Sequence, residues 1–481
     1  MNPFIGRKEE FQKLADLRER HGGSLVVVKG RRRVGKSRFI TEFANVYKGK
    51  NRFFSFTGLA PAKEITLQVQ LNHFGKQVSL YLNMPSVTFN DWTDAFNYLA
   101  HHTTTGDIIL FDEISWMGAH DPAFVSKLKA WWDLTISKID HVLLIFCGSV
   151  STWIEENILS STAFFGRVSL VLTLNPLSIP ESAALLKSVG FKGSPFEFYK
   201  LLSVFGGIPW YLEHVNPREM ADKNIKNLCF KKDGLLVDEF DRIFNDLFNG
   251  RGAAYKKILE SLKEGMKTLA EVREAIAYSH SGTLSSMMDH LIISGFVQKH
   301  QQWSLKTETP LKQSLYRICD PYTRFYLKII EPNKARINQG SYHDLELDQI
   351  PGFDSHVGLQ VEYLLIQNRA LLLKKIGISA SECVADGPYR QTKTVQTKGC
   401  QIDYLVQTRT RNLFLCEFKF KRWEIGLEII EEMQTKMNRL SIPRGFAVVP
   451  VIFHIGGMSE VIYGKNFFYK TIDISDFLNI G

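Results

Sequence analysis

The chain has 481 residues, 44% of them apolar and 23% charged, with a net charge of +9. It is too long for one core, so about three domains are expected, and it is too evenly mixed to be low-complexity or disordered. Its apolar runs are strand-sized, which argues against a bilayer-spanning helix, and its six cysteines stand singly without metal-ligand spacing, as in a reducing cytoplasm.

Asn2, Pro3 and Phe4 give way at once to charged residues, so no export leader is expected and the location is read as cytoplasmic. The mild basic excess fits a polyanion partner such as DNA, or equally a solvated surface. No membrane partner is expected.

Ser24–Lys29 is a β-branched run with the length of a buried parallel strand. Gly30, Gly35, Lys36 and Ser37 then spell G-x-x-x-x-G-K-S, and a helical pattern follows through Phe39, Ile40 and Phe43. Glycines at both ends let backbone N–H groups wrap phosphate oxygens at the positive end of the helix. Lys36 reaches the β- and γ-phosphates of ATP, and Ser37 offers its hydroxyl to Mg²⁺. The loop as a whole, with Arg31, Arg32, Arg33, Val34 and Arg38, is expected to contact nucleotide. The three loop arginines either face phosphate or point to solvent.

Asp107–Glu113 supplies a second strand that ends in two acids. Asp112 is placed to hold the metal's water shell, and Glu113 to orient and deprotonate the attacking water. His141–Cys147 reads as a third strand, followed by Gly148 and Ser149. Ser149 either senses the γ-phosphate or belongs to a plain Gly-Ser turn. Arg167, before the strand Val168–Leu174, is a candidate finger for a neighbouring subunit's ATP in a homo-oligomer, with a surface salt bridge as the alternative.

Together these motifs resemble the archaeal-type ATPase family, a branch of the AAA+/STAND P-loop proteins. Phe4, Gly6, Arg7 and Glu10 resemble its FxGRxxE segment, which the resemblance places near adenine and ribose. Asn175, Pro176, Leu177 and Ser178 resemble its PLS turn, and Ser178 with Glu181 also reads as a capping box. Gly206, Gly207, Pro209, Tyr211 and Leu212 resemble GGxPxYL, whose proline, Pro209 here, is implied to couple a helical lid to the nucleotide. Tyr316, Arg317, Asp320, Pro321, Arg324 and Phe325 resemble YRxxDPxxRF.

Residues 252–330 show three short helical stripes and a hairpin that starts at Gly295 and is expected to return around Trp303–Leu305, a winged-helix pattern. Its third helix, Thr283–Ile293, has no Lys or Arg and carries Asp289, which argues against base reading and favours a packing module. Lys299, His300 and Lys306 remain candidate phosphate contacts. A polar stretch with Pro332, Asn333, Gly340 and Pro351 reads as a linker.

Beyond it, Asp403 lies in one alternating strand and Glu417 and Lys419 share a face of the next. Two carboxylates and a lysine suit metal-dependent phosphodiester cleavage: Asp403 and Glu417 as Mg²⁺ ligands, Lys419 positioning water and steadying charge. The alternative is a strand-edge salt bridge. The set resembles the PD-(D/E)xK nucleases, which implies Glu362 as the first-helix acid. Gln434 and Lys436 on the following helix are implied to assist.

The expected architecture is α/β throughout. It comprises a P-loop NTPase core with a parallel sheet (1–178), a helical lid (179–250), a winged-helix module (251–330), a linker (331–350) and a restriction-endonuclease-like domain (351–481). The expected function is an ATP-hydrolysing switch or motor coupled to a DNA-acting nuclease, a combination that suits genome defence or mobile-element biology. The alternatives are an ATP-controlled binding protein whose C-terminal domain holds nucleic acid without cutting, and a winged-helix transcription regulator.

Overall fold

The run Ser24–Lys29 becomes β1, and its alternation divides it between two cores. Leu25 and Val27 join one layer, Val26 and Val28 the other, as period-2 geometry requires of a strand covered on both faces. In this computed structural model, which describes residues 3–47, 51–149, 151–248, 252–278, 281–342, 346–395 and 397–479, the chain divides into two units, Phe4–Pro176 and Leu177–Gly481.

The first unit is a parallel sheet of β1, β2 (Phe53–Thr57), β3 (Ile108–Asp112), β4 (Leu143–Cys147) and β5 (Val168–Thr173), in the order β2-β3-β4-β1-β5. One face is covered by the helices Leu67–Leu82, Trp92–His101 and Phe124–Leu134, which contribute an aromatic layer including Phe74, Phe96 and Trp131. The other face carries Lys8–Arg18 and Lys36–Val46. Strand β2 is not anticipated from its sequence, because its alternation spans only Phe54 and Phe56. Among the described residues no helix is long and apolar enough to cross a membrane.

The second unit begins with helices capped as their sequences dictate. Ser178 and Glu181 form a reciprocal capping box at Ile179–Ser188, and Ser194 and Glu197 repeat it at Pro195–Phe205. Three helices, Gly252–Leu262, Leu269–Ala275 and Ser281–Ile293, precede an antiparallel hairpin of β6 (Val297–Trp303) and β7 (Pro310–Ile318). The expected boundary at 250 and 251 lies outside the described residues.

The hairpin corrects the sequence reading in two respects. Its return strand starts at Pro310 rather than around Trp303–Leu305, because the turn closes through Ser304 and Thr309 with Glu308 at φ 59°. Its tip is also not a free wing. Trp303 and Leu305 pack with Ile402, Leu405, Leu413 and Met433, and the Trp303 indole donates to Gln407 Oε1 at 2.8 Å. Lys299 and Lys306 are exposed, but His300 accepts a hydrogen bond from Arg317 Nε at 2.8 Å and is no phosphate contact.

Burial and the neighbouring Arg317 cation push the His300 pKa down to about 3. A histidine depressed on folding stabilises fully above its unfolded value near 6.5 and loses that contribution as pH falls toward 3. By pH 4 the loss amounts to about 3 kcal/mol. His300→Gln, which keeps an acceptor for Arg317, is therefore expected to flatten the acid dependence of the urea midpoint between pH 7 and 4.

The expected linker also differs. Pro321–Phe325, a π-turn at Tyr326–Ile330 and Glu331–Asn338 run on as one helical stretch. Pro332 sits in the first turn of Glu331–Asn338, directly after the wider π segment, and the stretch continues past it. Lys334 fixes it through Asp238 and Asp241, both at 2.7 Å. Residues 343–345 of the linker lie outside the described set.

The helices Phe353–Gln367 and Arg369–Ile376 lead into a mixed sheet of β8 (Cys383–Gln391), β9 (Cys400–Thr408), β10 (Asn412–Lys419), β11 (Ala447–His454) and β12 (Lys470–Asp473). The order is β12-β11-β10-β9-β8, antiparallel from β8 to β10 and parallel from β10 to β12. The helix Glu428–Arg439 makes the crossover between β10 and β11.

Arg317 and Arg324, both fully buried, hold their guanidiniums 4.3 and 4.9 Å from the centre of the Tyr363 ring. The YRxxDPxxRF-like segment is thus packed onto the first helix of the C-terminal sheet.

Candidate functional site

The phosphate-loop residues gather at the C-terminal end of β1. Gly30 has φ +147° and lies so close to the segment after β5 that a Cβ there would stand 2.4 Å from the Leu174 carbonyl oxygen. Val34 is buried in the core and anchors the loop, while Gly35, at φ 89°, precedes the helix Lys36–Val46. Lys36 is buried and donates to the carbonyls of Gly30 and Arg31 at 2.9 and 3.2 Å, inside the ring that its own loop forms. Arg31 is buried, whereas Arg32, Arg33 and Arg38 are half-buried. For Arg31 this departs from the solvent-facing alternative.

The Ser37 hydroxyl donates to Asp112 Oδ2 at 2.6 Å. Asp112 is held in turn through its other oxygen by the Glu113 N–H at 3.1 Å. These two hard oxygen donors beside a helix N-terminus suit Mg²⁺ held with nucleotide phosphates. Glu113 adopts a left-handed backbone (φ 50°) as the chain leaves β3. Both the N–H and the hydroxyl of Ser149 donate to Glu113 Oε2 at 2.9 Å. Burial raises the Glu113 pKa against the lowering effect of the Ser149 bond. Ser149, expected at the γ-phosphate or in a plain turn, here clamps the candidate base. The pair is brought together by adjacent parallel strands, which no local spacing reveals.

Gly30→Ala is expected to abolish ATP binding and to lower the unfolding midpoint, because strain and collision act together. Gly35→Ala, whose Cβ would meet nothing within 4 Å, bears only the left-handed penalty of about 1–2 kcal/mol. Fluorescent-ATP titration with thermal melting separates the two.

Other expected nucleotide residues are placed differently. Arg7 is buried and donates through Nη2 to the Asn175 carbonyl at 2.5 Å, so it clamps the segment after β5. A cleft of about 450 Å³ opens against Phe4, Gly6, Phe11, Phe43 and Tyr47. Arg167 makes a two-pronged pair with Asp133 at 2.7 and 3.0 Å. It sits at the N-terminal end of β5, opposite the start of β1, on the order of 15 Å along the strand from the loop. It is therefore not gathered with Lys36 in this chain. Pro209 lies in the second unit as the first residue of the short helix Pro209–Leu212. Gly207 there accepts from the Leu177 N–H at 2.7 Å.

The second candidate site lies on the C-terminal sheet. Asp403 on β9 and Glu417 and Lys419 on β10 come together as the strand periodicity predicts. Lys419 Nζ is 3.1 Å from Glu417 Oε1, and the Phe418 N–H donates to Asp403 Oδ2 at 3.2 Å. Lys436, from the crossover helix, places its ammonium between the carboxylates, bonded to Asp403 Oδ1 at 3.1 Å and to Glu417 Oε2. Lys419 also bonds Glu432 at 2.7 Å. Glu432 and Lys436 are one helical turn apart, a spacing that signals a shared face. Gln434, two residues from each, is exposed and makes no contact with this cluster among the described residues.

Burial, then the Asp403 and Glu417 charges, push the Glu362 pKa up to about 8, against the pull of Arg317. Burial and Asp403 likewise raise that of Glu417. Among the described residues no group of three or more His, Cys, Asp or Glu side chains is arranged to hold a metal ion. The oxygens of the Asp403–Glu417 pair converge on one positive charge, the Lys436 ammonium.

Residues 4–215 match the family model described as an ATPase domain predominantly from Archaea, so the chain carries an archaeal-type ATPase domain. An uncharacterized protein of Methanocaldococcus jannaschii, MJECL04, is 27% identical over 345 residues, which is 71% of this chain and 72% of its own length. Among solved structures, the Walker-type ATPase PABY2304 of Pyrococcus abyssi shares the fold with a TM-score of 0.52 at 18% identity, over 68% of this chain and 96% of that one. The ORC2 protein of Aeropyrum pernix, determined as ADPNP–ADP complexes, aligns over 72% of this chain and 97% of its own, with 11% identity and a TM-score of 0.42.

Proposed function

We propose that this chain hydrolyses Mg²⁺–ATP and carries a metal-dependent phosphodiester-cleaving site for DNA on its C-terminal sheet. The observation that carries the reading is the hydrogen-bonded set Ser37, Asp112 and Glu113, with Lys36 held on its own loop carbonyls, at the C-terminal ends of parallel strands within the archaeal-type ATPase domain. Lys36 moves from its own loop carbonyls to the β- and γ-phosphates. Glu113 leaves Ser149 and takes a proton from water as the water oxygen attacks the γ-phosphorus. The bond to the β–γ bridging oxygen breaks, and ADP departs with that electron pair. Bound Mg²⁺ neutralises phosphate charge, and Ser37 and Asp112 are the residues that would hold it.

On the C-terminal sheet, Asp403 and Glu417 are the residues that would hold a second Mg²⁺, Lys419 steadies charge on the cleaved phosphodiester, and Glu362 supports the pair from behind. ATP binding or turnover sets when this site acts, a combination that fits genome defence or mobile-element biology by analogy of domain order. Arg167 serves a neighbouring subunit's ATP only if it leaves Asp133.

A second reading, nucleic-acid binding without cleavage, is favoured by one observation: Lys436 already satisfies both carboxylates. Phosphate release from ATP tests the first half of the proposal. Wild type should turn over with Mg²⁺ and Lys36→Ala should not; equal rates in the two would overturn it.

A further inference from the structure

Lys436 belongs to two environments at once. One is the carboxylate pair; the other is a groove of about 610 Å³ whose lining residues include four cations, Arg390, Lys393, Lys436 and Arg439, and no carboxylate. The groove is a built feature. Gln391 ties the end of β8 to both its neighbours, donating to the carbonyls of Lys398 and Arg439 at 2.6 and 2.8 Å and accepting from the Ser441 N–H at 2.8 Å. Arg390 is held by a two-pronged pair with Glu271 at 2.8 and 3.0 Å, which fixes the groove wall to the three-helix module. Lys393 and Arg439 are exposed and have no ion-pair partner among the described residues.

We propose that this groove takes the sugar–phosphate backbone of a single DNA strand, and that a phosphate seated there draws Lys436 away from Asp403 and Glu417, freeing them for a divalent cation. The proposal rests on the cleavage reading above and adds its substrate path and its control. Charge complementarity selects the occupant: Lys393 and Arg439 face the groove with no ion-pair partner among the described residues, no carboxylate lines it, and such cations suit phosphodiester oxygens. The groove has the size of a small-ligand pocket, which suits a nucleotide or two of one strand. Lys436 is the link, because the residue whose ammonium closes the carboxylate pair also lines the groove. Without substrate the pair is neutralised by this chain's own lysine. With substrate, one phosphate exchanges for two carboxylates at that ammonium.

The first test is fluorescence anisotropy of the full chain with a labelled single-stranded DNA 20-mer in EDTA, where no cleavage occurs. Lys393→Ala/Arg439→Ala should bind about tenfold more weakly, with the slope of log K against log salt reduced by about 1.4 for two lost phosphate contacts. A matching unfolding midpoint shows that the variant is folded. The second test is calorimetric titration with Mn²⁺, using Asp403→Asn as the blank. Wild type should bind Mn²⁺ about tenfold more tightly once the 20-mer is present, and Lys436→Met should do so without it. The wild-type comparison stands on its own if Lys436→Met does not fold.

An unchanged salt slope, tighter binding of duplex than of single strand, or Mn²⁺ affinity indifferent to the 20-mer would overturn the proposal. Strand binding with the predicted slope but no cleavage in Mg²⁺ would sink the nuclease reading and leave the groove standing.

Discussion

Glu113→Gln should slow ATP hydrolysis about 10²–10⁴-fold while ATP remains bound. The carboxylate has no role in the loop that cradles phosphate; its contacts are the Ser149 N–H and hydroxyl, at 2.9 Å each. A glutamine fits that clamp and keeps the left-handed turn after β3, but it cannot accept a proton from water. Burial raises the carboxyl's pKa, so the wild-type rate should climb with pH through a midpoint above the ordinary carboxylate range. Single-turnover phosphate release across pH, beside fluorescent-ATP binding, reads both effects. A variant that hydrolyses ATP normally would remove Glu113 from the chemistry, and one that fails to bind ATP would make its role structural.

The other large effect is expected from Glu417→Ala. Its carboxylate is buried, faces Asp403 across the β9–β10 pair and receives both Lys419 and Lys436. On the proposed cleavage reading, losing this carboxylate from the metal removes several kcal/mol of transition-state stabilisation, so DNA cleavage should fall at least about 10³-fold. The substitution also leaves Lys436 with Asp403 alone and Lys419 with Glu432 alone. Breaking a buried ion pair from one side costs about 3–5 kcal/mol, reduced here because Lys436 and Lys419 keep contact with solvent. Glu417→Gln should lose cleavage equally at a smaller cost in stability, which the urea midpoint reports. Cleavage surviving in both variants would leave these carboxylates with a salt-bridge role.

The contrast between the two sites shows which features the sequence carries. Gly30, Gly35, Lys36 and Ser37 are legible because one loop and one helix start impose their spacing. Strands β1, β3 and β4 are legible because burial on both faces demands unbroken apolar runs. Glu417 and Lys419 share a face by period 2, and the structure places them 3.1 Å apart.

Contacts made across the fold leave no such trace. Ser149 meets Glu113 only because β3 and β4 are neighbours, and Lys436 reaches Asp403 only through the crossover helix. The hairpin return was hidden for a related reason. Trp303 and Leu305 look like a returning strand, yet their apolar character serves the C-terminal sheet. Pro332 suggests a linker by composition, but it follows a π segment and the helical stretch continues past it.

The most direct measurement is cleavage of labelled single-stranded, linear and circular DNA in Mg²⁺ or Mn²⁺, with and without ATP. It compares wild type, Lys36→Ala and Glu417→Ala/Lys419→Ala. The account predicts cleavage by wild type that changes with ATP, no response to ATP in Lys36→Ala, and no cleavage by the double variant. ATP hydrolysis with no cleavage of any substrate, or cleavage that persists in the double variant, would contradict it.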